Sequence, residues 1–75
     1  MGGKKSNIRN QVKRIRLART DLTQSELARR VGATRQTIIS IENGRYSPSL
    51  ELAFRLSHVL DVSIEELFQF DGKWE

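Results

Sequence analysis

Seventy-five residues with 37% apolar and 29% charged side chains, one Pro and no Cys allow one small core and exclude disulfides, thiolate metal sites and cysteine nucleophiles. The excess positive charge, +4 overall, is placed unevenly: residues 1–19 carry a net +7, residues 20–48 +1, and residues 49–75 −4. A basic first third with a pI near 10.1 suits a polyanionic partner, although a solvated basic face has the same composition. No apolar run is long enough to span a membrane or to serve as a secretory signal.

In chain order, residues 1–7 read as a flexible basic arm, with Gly2 and Gly3 leading into Lys4 and Lys5. Helical spacing then begins, with Ile8, Val12 and Ile15 at i, i+4 and i+7. Thr23-x-x-Glu26 is a capping box that opens a second helix, whose inner face is Leu27, Ala28 and Val31. Gly32 follows as the left-handed residue that ends it. Thr34 caps a third helix, which turns Ile38 and Ile41 inward and closes at Gly44. Ser47-Pro48-Ser49 forms a turn with an N-cap, and a fourth helix carries Leu52, Ala53, Leu56, Val59 and Leu60 inward. Ser63-x-x-Glu66 is a second capping box, for a short fifth helix through Ile64, Leu67 and Phe68. Residues 70–75 show no period and form a C-terminal tail. The predicted architecture is therefore all-α: a compact five-helix domain over residues 8–69, between the arm and the tail.

The second and third helices form a unit. Gln24-x-x-Leu27-Ala28-x-x-Val31-Gly32-Ala33 runs through Thr34 into Ile38-x-x-Ile41. Ala28 must be small where the helices cross, Gly32 takes a turn conformation that a Cβ disfavours, and four aliphatic residues make the shared core. This is a helix-turn-helix arrangement. In Thr23-Gln24-Ser25-Glu26-Leu27-Ala28, Thr34-Arg35-Gln36-Thr37-Ile38, Ile41-Glu42-Asn43-Gly44 and Pro48-Ser49-Leu50-Glu51-Leu52-Ala53, the chain resembles the XRE family of helix-turn-helix transcriptional regulators, typified by lambdoid phage repressors and Cro. The resemblance covers residues 8–69 and implies a lambda-repressor-like five-helix fold that binds DNA as a dimer. Two features depart from the family pattern. Asp61 stands where the family usually has Gly, and Asp tolerates the left-handed region. The link from Arg19 to Leu22 is one residue longer than usual.

At about 100° per residue, Gln36, Ser40 and Asn43 lie on the side of the third helix opposite Ile38, with Ile39 on the shoulder. That outward face suits a major groove. Gln36 can pair with adenine, Ser40 can meet several bases, Ile39 can touch a thymine methyl, and Arg35 reaches either a guanine edge or a phosphate. Arg35, Gln36, Ile39 and Ser40 are the candidate base-reading residues. The resemblance places phosphate contacts at Gln24, beside the free amides of a helix N-terminus, and at Asn43, Gly44 and Arg45, as a loop offering amides and a cation. Thr37 either donates to a phosphate or caps locally. Lys4 and Lys5 reach along the backbone or into a minor groove.

Arg16 and Glu42 both lean inward on their helices and are expected to pair, as similar proteins have an Arg–Glu bridge at these positions. Leu50 and Phe54 lie outside the apolar stripe of the fourth helix and, with Phe70 and Trp74, are candidate dimer-interface residues; Trp74 could equally fold back onto its own domain. The lone histidine, His58, faces away from that stripe with no Cys, second His or phosphate loop, so neither an enzyme nor a metal or cofactor site is expected. The expected function is a cytoplasmic homodimeric regulator, a repressor, on a palindromic double-stranded DNA operator. The alternative is a protein-interaction module such as an antitoxin or a coactivator-type adaptor.

Overall fold

A computed structural model describes residues 7–72, so the expectations placed on Lys4, Lys5 and Trp74 fall outside the described residues. Among the described residues there are five helices: α1 (Val12–Arg19), α2 (Gln24–Val31), α3 (Arg35–Glu42), α4 (Leu50–Leu60) and α5 (Ile64–Leu67). Two short strands, β1 (Ile8–Asn10) and β2 (Phe68–Phe70), precede the first helix and follow the last. They pair antiparallel with Ile8 opposite Phe70 and Asn10 opposite Phe68. The fold is therefore mostly helical, and not all-α as the pattern predicts.

Local chemistry explains the helix limits. Thr23 and Ser63 each close a full capping box, with their hydroxyls accepting from the Glu26 and Glu66 amides and the two carboxylates accepting in return. The bonds from Thr23 and from Ser63 hold the Glu26 and Glu66 carboxyls below their ordinary value of 4.5. Thr34 and Ser49 cap α3 and α4 by accepting from Thr37 and Leu52. Gly32 ends α2 at φ 74° and Asp61 ends α4 at φ 58°, so the aspartate does occupy the left-handed position.

The first helix departs from its prediction. It begins at Val12, because Asn10 turns the chain: its Oδ1 accepts from the Val12 amide at 3.0 Å. Ile8 belongs to β1, and Phe68, predicted to continue the fifth helix, belongs to β2. A two-stranded ribbon is marginal alone. Here it is anchored on both sides, since the Gln11 amide donates to Leu67 O at 2.8 Å and Arg9 pairs with Asp71 at 2.7 Å. The ribbon also reaches α3, because Asn10 Nδ2 donates to Ile41 O at 2.7 Å. The paired strands thus lie against the C-terminus of the third helix. The sheet crosses the boundary drawn between residues 69 and 70.

The core is made by Val12, Ile15, Leu27, Ala28, Val31, Ile38, Ile41, Leu56, Leu60 and Leu67, with Leu22, Leu52, Val59 and Phe68 packed around it. Every helix contributes, so the outward face of α3 is held by the burial of its inward one.

Candidate nucleic-acid interface

The site is built on α3. Ile38 and Ile41 are fully buried, Arg35 and Gln36 are exposed, and Ile39 on the shoulder and Ser40 on the outward side are half-buried. The outward strip therefore carries an amide, a hydroxyl, a guanidinium and one aliphatic group, the groups that read hydrogen-bonding and methyl edges in a major groove. Gln36, Thr37 and Ser40 line one shallow concavity together with Tyr46, a residue the sequence pattern did not single out. Thr37 binds locally: its hydroxyl lies 3.0 Å from that of Thr34, whose Oγ1 also accepts the Thr37 amide.

The C-terminal end of α3 differs from expectation. The amides of Asn43, Gly44 and Arg45 donate to Ile39, Ile41 and Ser40 carbonyls at 2.9–3.0 Å, as befits a helix closed by a left-handed Gly44 at φ 75°. Those three amides are consumed in ending the helix. What this loop presents outward is the exposed side chains of Asn43 and Arg45.

Behind α3 lies a buried polar network. Arg16 Nε donates to Glu42 Oε2 at 2.9 Å and its NH2 to Oε1 at 3.3 Å, with the two side chains 8% and 1% exposed. Arg16 also donates from NH1 to Leu22 O at 3.1 Å. Counted from Val12, where α1 begins, Arg16 falls on the buried side of the helix with Ile15. The network has a third member that spacing does not reveal, because Gln24 Nε2 donates to Glu42 Oε1 at 2.9 Å. That bond uses one of the two amide hydrogens of Gln24 and leaves the other directed elsewhere. The carboxylate of Glu42 thus orients the first residue of α2 as well as tying α1 to α3.

Leu50 and Phe54, one turn apart on α4, are 72% and 56% exposed, as their place outside the apolar stripe implies. Phe70 is 42% exposed but is partly engaged by its own chain, with Ile8 across the sheet and Gly72 against its ring. His58 is exposed. Among the described residues no cluster of His, Asp or Glu is placed to hold a metal ion, and no helix is long and apolar enough to cross a membrane.

The helix pair α2–α3, with Ala28 buried on α2, the left-handed Gly32 and the Thr34 cap between them, defines a helix-turn-helix domain. The helix-turn-helix family model matches residues 12–67. An HTH-type transcriptional regulator of Archaeoglobus fulgidus is 44% identical over 70 residues, covering 91% of this chain and 97% of that protein. Among solved structures, the restriction-modification controller protein C.AhdI of Aeromonas hydrophila aligns with a TM-score of 0.68 at 28% identity, over 75% of this chain and 80% of its own. A Bacteroides fragilis protein aligns with a TM-score of 0.75 over 83% of this chain and 98% of its own; at 22% identity that likeness concerns the fold alone. The chain belongs to the XRE-type helix-turn-helix family of DNA-binding transcriptional regulators, and it is not an enzyme.

Proposed function

We propose that this protein is a sequence-specific, homodimeric, cytoplasmic repressor that places α3 in the major groove of a palindromic double-stranded DNA operator. The outward strip of α3 carries the proposal: Gln36 and Ser40 stand opposite the fully buried Ile38, with Arg35 and Ile39 flanking them, so their orientation is set before DNA arrives. In this assignment those four residues meet base edges. Gln24, Asn43 and Arg45 flank them as phosphate contacts, with Gly44 setting the turn between helix and loop and Thr37 beside the backbone. Lys4 and Lys5 extend the positive charge. Base contacts confer sequence preference, whereas phosphate contacts confer salt-dependent affinity. The likeness to C.AhdI, a restriction-modification controller protein, supports this reading, and regulation of a gene by operator occupancy is the role assigned to this chain.

The test is binding to a site selected from random DNA and to scrambled DNA across a salt series. Gln36→Ala is expected to cost about 1–3 kcal/mol on the selected site and to relax preference at one base pair per half-site. Arg45→Ala is expected to weaken both DNAs alike and to reduce the salt slope by about one unit. Equal loss on both DNAs with Gln36→Ala would overturn α3 as the reader and favour the protein-interaction alternative.

Dimerisation follows from size and from α4. A domain with a 12.1 Å radius of gyration covers one half-site, whereas successive major grooves lie about 34 Å apart. The exposed pair Leu50 and Phe54 supplies the apolar surface for a second copy, with Phe70 and Trp74 as further candidates. Light scattering is expected to give twice 8.6 kDa, and Phe54→Glu to give monomers that still melt cooperatively. A wild-type species of 8.6 kDa, free and on operator DNA, contradicts the dimer.

A further inference from the structure

Tyr46 is the single tyrosine of the chain, and the end of α3 determines where it goes. Gly44 at φ 75° reverses the backbone, and the Arg45 amide closes back onto Ser40 O at 2.9 Å. The next side chain returns along the outward side of α3, where Tyr46, Gln36, Thr37 and Ser40 line a concavity of about 230 Å³. The residue is 48% exposed, and its hydroxyl has no partner among the described residues. A half-open aromatic ring beside an amide and two hydroxyls adds little to the core. It does place apolar surface in a strip that is otherwise mainly polar.

We infer that Tyr46 is a further specificity-determining residue, its ring meeting the C5 methyl of a thymine next to the base pair read by Gln36. That methyl is the principal apolar group on the major-groove edge, and a hydrogen-bonding side chain cannot report it. Gln36 and Ser40 supply donors and acceptors from the helix, while the loop adds an apolar contact to that of Ile39. The inference rests on α3 being the DNA-reading helix. The competing role for a tyrosine here is a bond from its hydroxyl to a phosphate, which adds affinity for every sequence alike.

The experiment titrates wild type, Tyr46→Phe and Tyr46→Ala against the selected site, scrambled DNA, and the selected site with each thymine replaced in turn by uracil. Uracil removes the methyl and leaves the pairing edge intact. At one position per half-site, uracil is expected to cost wild type and Tyr46→Phe about fourfold in affinity, the worth of one buried methyl group. Tyr46→Ala is expected to lose at least that much on the selected site, to lose little on scrambled DNA, and to be indifferent to uracil at that position. All three proteins should melt alike, since the ring lies outside the core. Equal losses by Tyr46→Phe and Tyr46→Ala on both DNAs overturn the proposal in favour of a phosphate contact. Uracil penalties that all persist in Tyr46→Ala overturn it as well, assigning the methyl contact to another side chain such as Ile39. Gln36→Ala in the same assay separates the two levels. If it loses affinity at its own base pair while Tyr46→Ala is silent, only the tyrosine contact is wrong; if it weakens both DNAs equally, the reading helix is wrong and the tyrosine contact falls with it.

Discussion

Glu42→Gln is expected to destabilise the domain by about 3–5 kcal/mol, because it removes one charge of a buried pair and strands the other. The carboxylate accepts three donors, two from Arg16 and one from Gln24, with its own side chain 1% exposed. A glutamine offers one oxygen, and its amide hydrogens would face the donors that the second carboxylate oxygen now satisfies. For a domain of this size the melting temperature should fall by about 12 °C or more. DNA binding should survive at low temperature but with weaker phosphate anchoring, since Gln24 loses the group that orients it. An unchanged melting temperature with abolished sequence preference would show that Glu42 acts on DNA and not on the fold. Calorimetry and binding to the selected site, run on the same preparation, distinguish these outcomes.

The neighbouring residues Ile38 and Ile39 are expected to respond oppositely. Ile38 is fully buried in the core, so Ile38→Ala leaves a cavity and should cost about 2–5 kcal/mol, lowering the melting temperature by about 8 °C or more. Such a loss is a large share of the stability of a small domain. Ile39 is only half-buried, so Ile39→Ala should melt within a few degrees of wild type and show its effect on the selected site. Thermal unfolding of the two variants checks the face assignment directly. If Ile39→Ala proved the more destabilising, α3 would be rotated from the orientation described, and its outward strip would carry different residues.

The limits of α2, α3 and α4 and the start of α5 were legible because each is a local matter. Thr23, Thr34, Ser49 and Ser63 cap by bonds to residues three positions on, and Gly32 and Asp61 take left-handed conformations that depend on their own backbone. The inward faces of α2, α3 and α4 were legible for a related reason: an amphipathic helix states its buried side through the period of its apolar residues. The helix-turn-helix unit, lying within about twenty residues, combines both kinds of signal.

What the tertiary structure alone decided involves partners distant in sequence. Ile8, Val12 and Ile15 match a helical period by coincidence. Ile8 becomes strand because Phe70, at the other end of the described chain, pairs with it, and three-residue strands are too short to show alternation. The bond from Gln24 to Glu42 spans eighteen positions, and that from Asn10 to Ile41 spans thirty-one, so neither leaves a mark in local spacing. Tyr46 joins Gln36 and Ser40 only through the turn at Gly44. Apolar periodicity and capping chemistry thus determined which helices form and which way they face. The pairing of the two strands, the third member of the buried network and the aromatic edge of the outward α3 face were decided by packing, because their contacts connect residues that no single helix brings together.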